Sequence, residues 1–328
     1  MRTAILSATA ALLLASAAQA GGHFKRINVH GALDVYPAAI NSSGDISGYF
    51  DTGKGHDTGF LRSSSGAVTK FAIGTDGTHP SDINDDDLVT GILFDPQGHG
   101  HGFVRAPDGA TTVFDVPHGT GTNPVAINAS GVIAGAYIKG RLRGFIRTAD
   151  GNIVKFQPPG RPETAGANAI NDAGMVAGSY LNRNESAHDY LRAADGTITV
   201  LDVPGAQAGT LSVNGLTADG TIAGTYSDAQ NLAHGYLLAP NGTVTVIDIP
   251  GADKGTDLIG ASPNGFVTGF YDDSAFVQHG FLRDPEGTIT TFDPPGALST
   301  TPIAVNASGE VTGWYNDGMG DHGFLRTP

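Results

Sequence analysis

Three histidines, His79, His99 and His118, stand at positions that no repeated pattern in the chain accounts for. Imidazoles titrate near neutrality, so on nearby loops they could bind zinc or supply a general acid or base. Lys139, Arg141 and Arg183 are cations suited to a carboxylate-bearing ligand, with arginine offering a bidentate fork. Asp272 and Asp273 complete the candidate ligand-binding set. The competing reading is plain: solvated loop side chains on a glycine-rich surface.

Five further histidines, His101, His188, His234, His279 and His322, behave differently. They occupy one repeat position just before a strand, with Thr58 and Arg143 in the other two copies. A residue used in almost every unit serves the unit, and a hydrogen bond to a turn is the expected role. Arg62, Arg105, Arg147, Arg192, Arg283 and Arg326 recur in the same manner and read the same way. Other motifs fail on spacing. Residues Gly48 to Gly55 nearly spell a phosphate loop, but Gly55 stands where Ser or Thr is needed and no helix is expected. Asp82, Asp85, Asp86 and Asp87 lack the spacing of a calcium loop and fit a solvated acidic turn. Neither Gly-x-Ser-x-Gly nor His-Glu-x-x-His occurs. No metal or cofactor is expected.

The positions of these residues depend on a repeat that runs through nearly the whole chain. Branched residues Ile46, Val89, Ile133, Val176, Ile222, Val267 and Val311 are each followed two places on by glycine: Gly48, Gly91, Gly135, Gly178, Gly224, Gly269 and Gly313. An aromatic comes two places later in six copies (Phe50, Tyr137, Tyr180, Tyr226, Tyr271, Tyr315), with Leu93 as the exception. Apolar residues alternating around a central glycine predict a strand with one buried face. Glycine weakens a strand, so its recurrence predicts close approach of a neighbouring sheet.

A second strand follows, as in Gly102-Phe103-Val104-Arg105, and then a glycine turn such as Asp195-Gly196 with hairpin chemistry. A third strand ends at proline, as at Pro204. A short segment such as Pro124-Val125-Ala126-Ile127-Asn128 supplies the fourth before the next Asn-x-x-Gly turn. Four strands per unit make a propeller blade. The turn before the glycine-centred strand falls at Gly44, Asp87, Gly131, Gly174, Gly220, Gly265 and Gly309, so there are seven units and no room for a second domain.

The seventh unit stops at Pro328, before its outer strand. The missing piece lies at the other end, where Phe24 to Gly31 matches an outer strand and Ile27-Asn28-Val29 takes the place of Leu201-Asp202-Val203. The expected fold is an all-β, seven-bladed propeller closed by pairing of the N-terminal strand with the last three strands. With the short strand innermost, the outer-to-inner loops and the loops between strands two and three share one face. That face would carry all eight candidates, together with Asp51, Lys54, His56, Asp95 and Glu185.

Composition bounds the partners. A net charge of −14 argues against nucleic acid, because phosphate binding needs clustered Lys and Arg. Residues 1–20 read as a signal peptide: Arg2, an alanine-rich apolar run, and Ala18-Gln19-Ala20 as the cleavage site. Residues 21–328 then form one secreted or periplasmic domain. The chain has no cysteine, so it must hold together by packing and hydrogen bonds. No later stretch is apolar enough for a membrane span.

Units reading His-Gly-Phe-Leu-Arg, Asp-Gly, Phe-Asp-x-Pro-Gly and Ala-Ile-Asn-x-x-Gly resemble the bacterial extracellular HAF-type repeats. The resemblance covers residues 24–328, departing where glycine replaces alanine, as in His101-Gly102-Phe103. It implies export and a repeated β architecture and carries over no functional residues. Two functions remain open: a non-enzymatic glycan- or protein-binding module of the cell envelope, and an extracellular polysaccharide lyase or glycosidase built on the loop histidines and arginines.

Overall fold

The computed structural model describes residues 22–160, 162–183, 186–207 and 209–328. The expected signal peptide therefore lies outside the described residues, as does Glu185. The rest is all-β, in seven separate antiparallel sheets. Blade three shows the pattern: inner strand Gly121–Ile127, then Ile133–Lys139, Arg141–Arg147 and outer strand Ile153–Phe156. No described helix is long and apolar enough to cross a membrane.

The seventh blade is assembled from both chain ends. Its strands Ser299–Val305, Val311–Asn316 and Asp321–Thr327 are completed by His23–Arg26, which pairs antiparallel with the last of them, Arg26 facing Phe324. The pairing runs on to Ile27, whose N–H donates to the Gly323 carbonyl at 2.8 Å. Ile27 and Val29 are buried against Val35, Ile46, Phe50 and Phe60 of blade one. The core is thus distributed between blades rather than held within any of them.

Two expectations need correction. Inner strands are not the short ones: in blade three the inner strand has seven residues and the outer has four. A bulge explains the extension, because register shifts between Pro124 and Ala126 and lets pairing continue on both sides. Proline is tolerated there because the inner strand's free edge faces the channel. Blade four is the exception, its inner edge being split into Thr164–Ala165 and Ala169–Ile170. The second correction concerns the mid-strand glycine. A Cβ on Gly135 would lie 2.3 Å from the Asn123 carbonyl oxygen and 2.9 Å from the Phe145 ring, both in its own blade. The crowding is internal to the blade and does not come from a neighbouring sheet.

The Asn of the Asn-x-x-Gly turn joins one blade to the next. Asn128 Oδ1 accepts the N–H groups of Ser130 (3.1 Å) and Val132 (3.0 Å), closing its own turn. Its Nδ2 donates to the Asn171 carbonyl of blade four at 3.1 Å. Asn41, Asn84, Asn171 and Asn306 reach the following blade in the same way, Asn306 spanning the ring closure to the Asn41 carbonyl at 3.0 Å. Blades five and six, which carry Thr217 and Ser262 here, use substitutes: the Ala218 N–H donates to the Pro263 carbonyl, and Asn264 Nδ2 to that of Ala307.

Blades four and five share a different device. Asp189 stands where other blades have glycine, and Tyr190 and Tyr236 stand where they have phenylalanine. The Tyr236 hydroxyl donates to the buried Asp189 carboxylate, as does Ser179 Oγ at 2.9 Å.

Replacing Asn128 by Ala removes three hydrogen bonds, those from the Ser130 and Val132 N–H groups and that to the Asn171 carbonyl, which keeps the Gly174 N–H. The expected cost is about 2–3 kcal/mol at roughly 1 kcal/mol per lost hydrogen bond, read as a lower urea midpoint. Unchanged stability would show that the amide ring does not hold blades together. Tyr236→Phe strips Asp189 of a donor and should destabilise by about 1–3 kcal/mol. Adding Asp189→Gly should recover most of that loss, and a double variant no better than the single one would contradict the pairing.

Candidate functional site

The loops between second and third strands, and those leading from outer to next inner strand, lie on one face, as the strand order requires. The repeated histidines stand at its edge and are occupied. His234 Nδ1 donates to Asp248 at 2.7 Å while Nε2 faces Asp228 at 3.3 Å, and the ring stacks on Tyr226. His101 meets Asp115 and Asp95, and His279 meets Asp293 and Asp273. His188 bonds Asp202 and Asn182. In the closing blade Asn28 replaces the second acid, and Arg26 donates to His322 Nδ1 at 2.8 Å while Nε2 serves Asp317. These imidazoles clamp the blade edge.

The candidate residues fall into separate places. His79 Nε2 donates to Asp57 at 2.8 Å, with its ring stacked on Tyr49. His99 Nδ1 donates to Asp95 at 3.0 Å on a five-residue loop, and His118 is an exposed turn residue with φ +64°. No hydrogen bond, ion pair or ring contact joins the three, and no metal-binding group of three or more His, Cys, Asp or Glu exists among the described residues. Lys139 and Arg141 flank the turn at Gly140 and are exposed. Arg141 pairs with Glu163 at 2.8 Å, and Arg183 approaches the same carboxylate at 3.9 Å. Asp272 is raised by burial and by neighbouring Asp273. Asp273 is held low by the Val277 N–H, against some desolvation, and faces His279.

The acidic stretch of blade two is also structural. Asp85 accepts the Ser42 N–H and hydroxyl, and Asp87, with φ +57°, accepts Asn41 Nδ2. Asp82 lies on the channel wall where other blades carry alanine (Ala39, Ala126, Ala304), and it accepts the Ile127 N–H at 2.8 Å. Around it is a central cavity of about 360 Å³, lined mainly by Ala, Ile and Asn of the seven inner strands.

A more distinctive feature crosses the loop face at blades seven, one and two. Trp314 packs edge-on to Tyr36 at 5.9 Å, Tyr36 lies 5.2 Å from Tyr49, and Tyr49 stacks on His79 at 4.3 Å. Phe94 closes the row at 5.5 Å from His79. All five rings are half-buried, forming a floor open to solvent. Apolar loop tips accompany it: Met319 is 89% exposed, Phe276 73%, Leu33 62% and Leu298 62%, all on this face at blades six, seven and one. Exposed apolar side chains at one end of a propeller are candidates for an interaction surface. Of the residues singled out by charge and imidazole chemistry, only His79 belongs to it. Yet the sequence holds a signal for the rest. The position after the mid-strand glycine reads Tyr49, Ile92, Ala136, Ser179, Thr225, Phe270 and Trp314, so its large aromatics fall in the adjacent blades six, seven and one.

No protein-family model and no curated protein matches the chain. Solved structures do. A streptogramin B lyase superposes with a TM-score of 0.65 at 14% identity, covering 95% of this chain and 100% of that one. A catalytically inactive virginiamycin B lyase from Staphylococcus aureus, solved with quinupristin, gives 0.62 at 14% identity, covering 93% and 99%. The β-propeller domain of the trilobed protease from Pyrococcus furiosus gives 0.61 at 10% identity, covering 89% and 95%. At such identities the likeness carries the fold alone. The chain is a seven-bladed β-propeller. Where the Pyrococcus domain has an open velcro topology, this ring is closed by its N-terminal strand.

Titration of the buried groups makes stability depend on pH. Burial pushes Asp82 up to about 7 against two backbone donors, and Asp189 up to about 6 against Tyr236 and Ser179. The bond to Asp115 raises His101, and in His234 the bonds to Asp248 and Asp228 outweigh burial, which lowers it. All four hold protons more tightly folded than unfolded. For the acids that stability is full below about pH 4 and is lost as pH rises through about 6–7. For the histidines it is full below about 6.5 and is lost above it. Asp95 works in the opposite sense. Desolvation raises it, but the His99 N–H and the two imidazoles win and hold it at about 2, so its contribution fades only in acid. The melting temperature should therefore fall by several degrees between about pH 5 and pH 8, and Asp82→Ala should flatten that slope. A melting temperature that rises over this range would contradict the assignment.

Proposed function

We propose that this chain is an exported, non-enzymatic binding propeller of the cell envelope, one of the HAF-type repeat proteins, holding a glycan or protein ligand on its loop face. The observation that carries this reading is the row of Trp314, Tyr36, Tyr49, His79 and Phe94 beside the exposed Leu33, Leu298 and Met319. Aromatic rings left half-exposed on rigid strands give a large apolar contact at little entropic cost, and their polar tips orient a ligand. Between glycan and protein, the half-buried floor favours a glycan, whose sugar rings present flat C–H faces to such platforms.

One arrangement favours an enzyme instead. The His79–Asp57 pair orients an imidazole beside the aromatic floor, the partnership a general base requires. His99 and His118 add nothing to that pair, and Arg141 and Arg183 are turned toward one carboxylate, Glu163. The lyases among similar folds lend no residues, since the likeness is one of fold.

Binding of the secreted chain to a glycan array is the test, followed by Trp314→Ala. A ligand whose affinity drops about tenfold or more in that variant, roughly 1.4 kcal/mol, supports the binding reading. Turnover of a bound polysaccharide that His79→Ala abolishes would replace it with the lyase or hydrolase reading.

A further inference from the structure

The aromatic row is bordered by carboxylates. The Tyr36 hydroxyl donates to Asp321 at 2.9 Å, and the Asp321 N–H donates to Asp34 at 2.7 Å. Asp34 sits opposite Asp51 across the first two strands of blade one, and Asp57 holds the imidazole that stacks on Tyr49. The hydroxyls report the resulting field: burial raises both, Asp321 and Asp34 raise Tyr36 further, and Asp57 raises Tyr49. One cation lies close, Arg26, which donates to His322 Nδ1, next to Asp321, at 2.8 Å. Lys54 projects from an exposed loop tip, and Arg141 and Arg183 lie at blades three and four on Glu163.

Aromatic faces and carboxylates together select organic cations. Here the rings form an open row across three blades and do not close into a cage around a single ammonium, which suits a chain of linked rings carrying repeated positive charge. We infer that the row binds a polymer of amino sugars, whose pyranose rings lie along the solvent-exposed surface of Trp314, Tyr36 and Tyr49 while protonated amines meet Asp34, Asp57 and Asp321. The inference rests on the glycan-binding reading and narrows it. The same field repels uronate polymers.

Calorimetry on the mature chain at about pH 6 tests it with four probes. They are a β-1,4-linked glucosamine hexamer, its fully N-acetylated counterpart, an oligouronate of equal length and hexalysine. The amine hexamer should bind about tenfold more tightly than the acetylated one, roughly 1.4 kcal/mol. That advantage should shrink as salt rises from about 50 to 300 mM, and the uronate should not bind. In the Asp34→Asn/Asp57→Asn double variant the ratio should fall toward one, and Asp321→Asn, which keeps an acceptor for Tyr36, provides a second charge-removing variant should that one fail to fold. Equal affinity for the amine and acetylated hexamers overturns the inference and leaves the glycan reading standing. Hexalysine bound as tightly as the amine hexamer also overturns it, because the face would then read charge alone. If none of the sugars binds, the glycan reading itself falls.

Discussion

A four-stranded blade is too thin to hold a core, so each sheet must bury both faces against its neighbours. Everything else follows from that constraint. The buried residues accordingly sort into clusters that straddle blade boundaries, such as Ile27 and Val29 against Phe50 and Phe60. Side-chain packing alone would leave the blades free to slide, because apolar contact is non-directional. The amides of Asn41, Asn84, Asn128, Asn171 and Asn306 supply direction, each satisfying its own turn and a carbonyl of the following blade. A chain without cysteine has no covalent staple, and this ring of hydrogen bonds, with the N-terminal strand as its clasp, takes that role.

The same repetition explains why so many polar residues of the chain are taken up in holding blades together. The recurring histidines bridge acids at a blade edge, and blade-end arginines lie over phenylalanines of the preceding blade, as Arg105 does over Phe71 and Arg147 over Phe114. Residues that break the repeat divide into two groups. Asp189 with Tyr236, and Asp82 on the channel wall, trade apolar packing for buried polar bonds. Tyr36, Tyr49 and Trp314 instead place aromatic surface where their counterparts in most other blades are small, and they do so in adjacent blades on the loop face. The second group makes the surface on which the proposed binding rests; the first makes stability sensitive to pH.

The blade count, the strand order, the closing strand and the loop face were all legible in the residues. Each depends on a pattern repeated seven times along the chain, and Ile27-Asn28-Val29 matches Leu201-Asp202-Val203 position for position. Charge and imidazole chemistry were poorer guides to the site. His99 and His118 share a blade with His79, yet no contact joins them, and Arg141 and Arg183 meet at Glu163, a residue with no motif around it. The aromatic row was visible only as an uneven distribution at one repeat position, which says nothing until neighbouring blades are known to touch.

What the sequence determined by itself is the periodic part: alternating burial, turn glycines and complementary ends are local or repeated features whose meaning does not depend on distance. What the tertiary structure alone decided is which departures from the repeat face one another. Trp314 and Tyr36 are far apart along the chain and 5.9 Å apart in space. Ring closure puts them together, and no local propensity encodes a contact made across the two ends of a chain.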